Sequence, residues 1–583
     1  MENREIAKIL QETANLLEID GADIGRYRSY EKAAQLIENL ADRIEDLAKA
    51  GTLTELPGIG DRMAAHIQEI LQTGKYTLHR KLLKKYPHTI LEVLSLPSLG
   101  PKKTGLLWKR FKAATVDDIE RLARAAKLRD LPGFGEKSEQ NILKGIEMYK
   151  RQAGRFHIDE ADREAEELAA YIEALGKTVR GVTPAGSLRR GKETIGDLDL
   201  LLISKEVEKV SDYILKYPRI EQQLARGENK VSFKLGNAMQ VDVRILEERS
   251  FGAALQYFTG SKEHNIVLRG RAKERGWKLS EYALETIKGS RFLAGRTEAE
   301  IYEKLGLTYI EPELRENTGE IEAAEKGELP RLVELRDIRG DLQMHTTASD
   351  GKNSIEEMAR AAKKLGYEYI ALTDHSKAVT VANGMDEKRT IEQIGKIRQV
   401  EQRMDGFWLL AGIEVDILKD GRLDLDDEVL AQLDVVVASV HSYMNLEPAA
   451  MTDRILRAFE NPNLMILAHP TGRLLLRRDP FLFDIERVLD DAARRGIAVE
   501  CNAYPDRLDL KDVHLRMAKE RGVKVVISTD SHSTTHLPFM KYGVLIARRA
   551  WLEKRDVLNT LPAEELFKML HRRRTPVKAA HRR

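Results

Sequence analysis

The sequence predicts a multidomain α/β protein: helical domains at the N-terminus, a mixed β-sheet bearing acidic residues in the middle, and a (β/α)7 barrel at the C-terminus. Three observations predict it. Residues 1–80 carry helical periodicity (Ile6, Ile9, Leu10; Ile37, Leu40, Ile44, Leu47), and a short Leu-Pro-x-x-Gly pattern recurs ahead of later helices. The run Asp197–Ile203 reads as an apolar strand interrupted by two aspartates. Beyond Ile338, seven short β-rich runs alternate with helices and end in polar residues, the habit of a barrel whose site lies at the strands' C-terminal ends.

Composition limits the classes that remain. A chain of 583 residues, 42% hydrophobic and 32% charged, has ample core, and its length suggests roughly four domains. No apolar run approaches the ~18 residues of a membrane span, and the polar start Met1–Lys8 is not expected to be a signal peptide. Cys501 is the single cysteine, which excludes an internal disulfide and fits a reducing cytoplasm. A net charge of +2 confines any nucleic-acid binding to local basic patches, of which the tail from His571 to Arg583 is a candidate alongside a plain solvated end.

The repeated pattern comes first in the chain. Leu56-Pro57-Gly58-Ile59-Gly60 precedes the helical Asp61–Leu71, Leu96-Pro97-Ser98-Leu99-Gly100 precedes Pro101–Trp108, and Leu131-Pro132-Gly133-Phe134-Gly135 precedes Glu136–Tyr149. The glycines allow a tight hairpin whose N–H groups, with the next helix's N-terminus, can hold a phosphate. These resemble helix-hairpin-helix motifs, which grip the DNA backbone without reading sequence. One such turn is often only a helix connector; three in tandem argue for Gly58, Gly60, Gly100, Gly133 and Gly135 as backbone contacts. Ser98 replaces glycine in the middle copy.

Gly186–Leu202, GSLRRGKETIGDLDLLL, carries the main chemistry of the first half. Asp197 and Asp199, two apart on a strand, point to the same face, where their repulsion calls for a divalent cation. Gly186, Ser187, Arg189, Arg190 and Lys192 offer a polyphosphate a glycine turn, a hydroxyl and positive charge. The alternative is an aspartate pair that keeps an edge strand soluble. Asp242, on the probable neighbouring strand Met239–Ile245, favours the first reading, because a third acid completes a two-metal site. Leu255-Gln256-Tyr257-Phe258-Thr259-Gly260-Ser261 follows, with Asn265 and Arg269 on the next helix.

Together the GS motif with Arg190, the Asp197–Asp199 pair, Asp242 with Arg244, and YFTGS with Asn265 resemble the family X DNA polymerases of the DNA polymerase beta type, over about residues 1–316. The resemblance implies an N-terminal helical domain with a helix-hairpin-helix (1–85), a helical DNA-binding subdomain (86–155), a nucleotidyltransferase palm with a mixed β-sheet (156–250) and a nucleotide-selecting subdomain (251–316). It implies that Asp197, Asp199 and Asp242 hold two Mg²⁺ or Mn²⁺ ions for nucleotidyl transfer. Gly186, Ser187, Arg190 and Gly196 would attend the triphosphate, Tyr257, Phe258 and Gly260 the sugar, and Asn265 the base. Arg244 and Arg269 would contact DNA. One residue departs from the pattern: His66 stands where many relatives place a lysine that forms an imine with a 5′-deoxyribose phosphate. Imidazole cannot form it, which sets that lyase activity in question; Lys32 is a substitute candidate, and His66 is left a 5′-phosphate contact or a plain helix residue.

Residues 311–337 are polar and weakly periodic, and 317–337 is expected to be an interdomain linker. In the barrel, 338–583, the strands Ile338–Gln343, Tyr369–Thr373, Leu409–Gly412, Val435–Val440, Met465–Ala468, Ile497–Glu500 and Val525–Ser528 lead to His345 with Asp350, Asp374 with His375, Glu414 with Asp416, His441, His469, and Asp530 with His532. A lone histidine is usually unremarkable. A histidine or carboxylate after nearly every strand favours Zn²⁺, Mn²⁺ or Fe²⁺.

TDHS, GIEVD, ASVHS, LAHPTGR and STDSHS resemble a PHP (polymerase and histidinol phosphatase) domain. The resemblance implies phosphoester hydrolysis with up to three metals, here a 3′–5′ exonuclease or an activity on abasic or 3′-phosphate ends. It implies His345, Asp350, His375, Glu414, His441, His469, Asp530 and His532 as ligands, with Arg473 and Asn502 near the substrate. Gln343 occupies the first histidine of the usual H-x-H, so one metal position is expected to be weakened or empty. The leading expectation is a gap-filling repair polymerase, monomeric and cytoplasmic at the nucleoid, acting on gapped or primer-template DNA with dNTPs. Two other readings stay open: a polymerase half that only delivers DNA ends to the barrel, and a nucleotidyltransferase for small molecules or RNA.

Overall fold

A computed structural model describes residues 3–572 except Asn39, Ala41, Asp42, Ser95, Pro97 and Ala153. The basic tail from 573 onward and the proline of the middle hairpin therefore lie outside the described residues. The chain divides into two compact units, Met1–Ala153 and Gly154–Arg583.

The first unit is helical throughout its described residues. Apolar positions at helical spacing bring Asn3–Asp20, Ile24–Glu38 and Asp61–Thr73 together around Ile6, Leu10, Leu17, Tyr30, Ile37, Ile67 and Ile70. A second core joins Leu99, Leu107, Ile119, Ile142 and Ile146. The three repeats make the same turn: Ile59 N–H donates to the Leu56 carbonyl (3.1 Å), Leu99 to Leu96 (3.2 Å) and Phe134 to Leu131 (3.0 Å). The residue after the proline position is left-handed in each, with φ +84° at Gly58, +69° at Ser98 and +80° at Gly133. This is the turn geometry that favours glycine, and Ser98 is held in it despite its side chain.

The second unit begins with a five-stranded sheet in the order Arg180–Pro184, Asp197–Ile203, Gln240–Leu246, Lys230–Leu235, Ile220–Arg226. Asp197–Ile203 and Gln240–Leu246 run parallel and the other pairs antiparallel, so the sheet is mixed. Strand alternation sends Leu198, Leu200 and Leu202 toward the helix Ile158–Glu173, and leaves Asp197 and Asp199 on the opposite face.

Helices Phe251–Thr259, Lys262–Glu274 and Glu298–Lys304 pack with a three-stranded sheet around Leu268, Leu284, Ile301 and Tyr302. The segment expected to be a linker is part of this body. It holds the helix Glu320–Lys326, whose Ile321 and Ala324 enter the same core, and the buried Glu320 carboxylate lies 2.7 Å from His264 Nδ1. Its polarity hid this because the residues that anchor it are few and one is a buried charge with a partner.

The last element is a seven-stranded parallel sheet: Gly340–Asp341, Tyr369–Leu372, Trp408–Asp416, Val435–Ser439, Ile466–Leu467, Ala498–Asn502 and Val525–Ser528 in sequential order. Bridging between Met344 and Ser531, with Asp530 N–H donating to the Gln343 carbonyl (3.1 Å), brings its first and last strands together, leaving a nearly closed barrel. One buried apolar cluster runs from the mixed sheet into the barrel, joining Leu198 and Val243 to Val436, Val525 and Ile546.

Candidate functional site

Strand pairing places the first acidic group. Asp199 and Asp242 are Cα partners across the parallel pair, and Asp197, opposite Gln240, is two residues along on the same face. Burial, then the charges of Asp197 and Asp242, push the Asp199 carboxyl up to about 7. Burial also raises Asp242, but Lys230 Nζ, 2.6 Å from its Oδ2, outweighs this and holds it below its usual value. The three carboxylates share one face, but their oxygens do not all come within 4.8 Å of one another as the barrel's donor groups do; a hard divalent cation there would relieve the repulsion.

Gly186 fits against this face through its lack of a side chain. Its φ is +59°, and a β-carbon there would lie 2.5 Å from Asp199 Oδ2. The short helix Gly186–Arg189 then carries Ser187, half-buried, and Arg189, and Arg190 caps its C-terminal end. Arg189 donates to Glu298 Oε1 and Oε2 (2.9 and 2.6 Å) and to Thr259 Oγ1 (2.6 Å). Arg190 donates from Nε to Glu316 Oε1 (3.1 Å) and from Nη1 to the Thr259 carbonyl. A β-carbon on Gly260 would come within 3.1 Å of that guanidinium. Gly196 leads into the Asp197 strand, close to Arg155.

Tyr257 and Phe258 meet edge-on at 5.0 Å, and the Arg244 guanidinium stacks over Phe258 at 3.9 Å. Asn265 is buried, donates to the Tyr257 carbonyl (2.7 Å) and accepts from Gln256 (2.6 Å), so its amide fixes the Tyr257–Phe258 turn. Arg269 is exposed. In the first unit, Gly60 and Gly100 cap the N-termini of Asp61–Thr73 and Pro101–Phe111 in extended conformation, and Gly135 directly precedes Glu136–Gln152. His66 lies between Tyr30 and Tyr76, its ring 4.7 Å from that of Tyr76; burial, then Arg62, lower its pKa. Lys32 is exposed.

At the barrel's mouth the buried Glu414 carboxylate faces four histidines. Its oxygens lie 3.5 Å from His345, 3.1 Å from His375, 3.4 Å from His441 and 2.9 Å from His469. Asp530 sits 3.0 Å from His345, and Asp350 bridges toward His375 (3.8 Å) and His532 (3.4 Å). Three groupings offer convergent donor atoms: His345, Asp350, His375 and His532; His375, Glu414 and His441; His345, Glu414 and Asp530. His375 Nδ1 and Glu414 Oε2 lie 3.1 Å apart yet make no hydrogen bond with any of the described residues, as expected of lone pairs aimed at a shared cation. His469 falls outside these groupings; its Nε2 meets Glu414 and its ring lies 5.3 Å from that of His441.

Gln343, two residues before His345, is buried, and neither its amide oxygen nor its nitrogen finds a hydrogen-bond partner among the described residues. Asp374 turns away, accepting from Thr346 and Ser349, and Asp416 accepts from the His441 N–H (3.0 Å). Asn502 donates to Asp530 Oδ2 (3.1 Å). Arg473 points elsewhere, donating to both oxygens of Glu193 (2.6 and 3.2 Å).

Several participants escaped the sequence. Lys230, Glu298 and Glu316 act only through tertiary contacts, and Arg507, whose Nε lies 3.4 Å from Asp530 Oδ2, comes from a loop without periodicity. Glu500 did end a strand run and could have been singled out. It is buried, accepts from Ser528 Oγ and the His469 N–H (2.5 Å each), and burial followed by the charge of Asp530 raises its pKa well above normal.

A mixed sheet with three carboxylates beside a basic loop, followed by a barrel whose mouth gathers histidines and carboxylates, is the arrangement of a phosphoryl-chemistry enzyme with two centres. Comparison with known proteins names the class. Residues 1–76 match a helix-hairpin-helix domain, 90–147 a SAM-like helix-hairpin-helix tandem, 254–316 the DNA polymerase beta thumb and 341–502 the PHP domain. The chain is 38% identical over 574 residues to the DNA polymerase/3'-5' exonuclease PolX of Bacillus subtilis (strain 168), covering 98% of this chain and all of that one. It is 26% identical to DNA polymerase lambda of Rattus norvegicus over 54% of this chain and 56% of that protein. A probable phosphatase of Thermoanaerobacter sp. (strain X514) is 29% identical over 38% of this chain and 89% of its own length. The chain belongs to family X of the DNA polymerases, with a C-terminal PHP domain.

Proposed function

We propose that this chain is a DNA-directed DNA polymerase that fills short gaps in repair, joined to a PHP-domain 3′–5′ exonuclease or phosphoesterase. The observation that carries the polymerase reading is the register of Asp199 with Asp242, Asp197 alongside, against the Gly186–Arg190 loop. Asp197, Asp199 and Asp242 would hold Mg²⁺ or Mn²⁺, which when bound lower the pKa of the primer hydroxyl and neutralise triphosphate charge. The chain's own residues do the rest. Ser187 and Arg190 bind and orient the triphosphate, Gly186 and Gly196 let it approach the backbone, and Tyr257, Phe258 and Gly260 bound the sugar. Arg244 and Arg269 meet the DNA, as do the three hairpin turns through their backbone amides.

In the barrel, His345, Asp350, His375, Glu414, His441, His469, Asp530 and His532 would hold Mn²⁺, Zn²⁺ or Fe²⁺, up to three ions, supplying an activated water and a clamp for the phosphate. Gln343 weakens one of these positions, because a neutral amide oxygen is a poorer ligand than imidazole for a borderline metal. Lyase activity at His66 is not part of this reading. A monomer at the chromosomal DNA of the cytoplasm, using gapped or primer-template DNA and dNTPs, suits these sites. The same assignment treats 1–85 and 86–155 as DNA-holding domains, 156–250 as palm, 251–316 as nucleotide-selecting and 338–583 as phosphoesterase.

The test is extension of a one-nucleotide-gapped duplex with a 5′-phosphate, in Mg²⁺ and in Mn²⁺. Incorporation of one templated dNTP, with DNA binding that weakens as salt rises, supports the proposal. Absence of incorporation in both metals defeats it.

A further inference from the structure

We propose that Arg549, on the barrel's outer helix Met540–Arg549, is a positioning residue for the polymerase site. It orients the Arg190 guanidinium toward the triphosphate of the incoming nucleotide. The inference rests on the reading that Arg190 binds that triphosphate. Arg549 is almost wholly buried, with 3% of its side chain exposed. Its Nη1 donates to the Arg190 backbone carbonyl (2.8 Å) and to Glu316 Oε1 (2.9 Å). That same Glu316 oxygen accepts from Arg190 Nε (3.1 Å). From behind, Asp512 on the neighbouring barrel helix Asp512–Glu520 accepts from Arg549 Nε (2.9 Å) and pairs with Nη2 (2.7 Å). The result is a chain of alternating charges, Asp512, Arg549, Glu316 and Arg190, running from the barrel into the loop before Asp197.

The chain leaves Arg190 prepared. Nε is held by Glu316 and Nη1 by the Thr259 carbonyl, while Nη2 meets no partner among the described residues. A guanidinium fixed on two edges loses little entropy when its remaining N–H groups take up an anion. Packing holds the loop to the barrel as well. A β-carbon on Gly191 would be 3.1 Å from Leu545 Cβ, and Glu193 makes its two-oxygen pair with Arg473, which also donates to the carbonyls of Arg507 (3.0 Å) and Leu508. The barrel therefore builds part of the nucleotide site. A polymerase half cut away from it would lose the orientation of Arg190 while keeping all three aspartates.

The experiment uses the full chain and gapped DNA, reading KM for the incoming dNTP and kcat separately, with phosphoester hydrolysis by the barrel as the folding control. Arg549→Met is expected to raise the dNTP KM about tenfold with kcat within about twofold and hydrolysis unchanged, and Arg549→Lys to fall between it and the wild type. An Arg549→Met chain that hydrolyses normally and keeps the wild-type KM overturns the positioning role. Should Arg549→Met lose hydrolysis too, Arg549→Lys decides: a KM raised about threefold or more supports the role, and a wild-type KM overturns it. If the wild type extends no gap, the reading of Arg190 fails first, and this role with it.

Discussion

Asp199 lies beside Asp242 across a parallel strand pair, and a β-carbon on Gly186 would strike the Asp199 carboxylate. The pairing sets two acids side by side, and the glycine lets the Gly186–Arg190 loop close over them. Asp199→Ala is therefore expected to reduce nucleotide incorporation by roughly a thousandfold or more. Gly186→Ala should reduce it severely as well, since the added methyl meets both a left-handed backbone and the carboxylate. Single-turnover incorporation measures both, and near-wild-type rates in either would contradict the geometry.

Glu298 gives a pH dependence of stability. Burial would raise its carboxyl, but the charges and hydrogen bonds of Arg315 and Arg189 hold it down to about 2. A carboxyl depressed in the folded state contributes stability above its unfolded pKa, and that contribution is lost as pH falls from about 4.5 toward about 2. Glu298→Gln should cost about 3 kcal/mol at pH 7 and flatten the acid limb of a stability-versus-pH curve. Denaturant melts across that range read it, and an unchanged acid limb would remove the assignment.

Gln343 predicts a gain. Its amide is buried and meets no hydrogen-bond partner on either atom among the described residues, two positions before His345 in the chain. Gln343→His should tighten Mn²⁺ binding by calorimetry and speed Mn²⁺-dependent 3′–5′ digestion by about tenfold or more. Equal rates and equal metal affinity would show that the position carries no ligand duty.

The hairpins provide a further check. Ser98 holds a φ of +69°, the conformation that glycine takes at the matching positions of the other two turns. Ser98→Gly should stabilise the first unit by about 1 kcal/mol, while Gly58→Ala or Gly133→Ala should destabilise it by a similar amount. Thermal melts of the full chain followed on the helical unit, for instance by hydrogen exchange, separate these outcomes; a loss of stability in Ser98→Gly would contradict the turn assignment.

Legibility in the sequence followed locality. The aspartate pair, the three turns and the seven barrel strands announce themselves through period-two alternation, proline–glycine punctuation and polar strand ends, and the strand Val525–Ser528 was readable to the residue. Residues recognised only through distant partners were silent. Lys230 matters because Asp242 is opposite its end of the sheet, Glu316 because Arg190 and Arg549 converge on it, and Arg507 because its loop folds back over Asp530. The segment 317–337 reads as a tether because its anchors, Ile321, Ala324, Leu332, Val333 and the buried Glu320, are scattered among exposed charges.

On the proposed reading, one chain makes phosphodiester bonds at Asp197, Asp199 and Asp242 and hydrolyses phosphoesters at the histidine cluster around Glu414. The most direct measurement follows incorporation and 3′–5′ digestion on the same gapped DNA for Asp199→Ala and His375→Ala, side by side. Asp199→Ala is expected to abolish incorporation and keep digestion, and His375→Ala to do the reverse. Loss of both activities in both variants, or incorporation that survives Asp199→Ala, would contradict that reading.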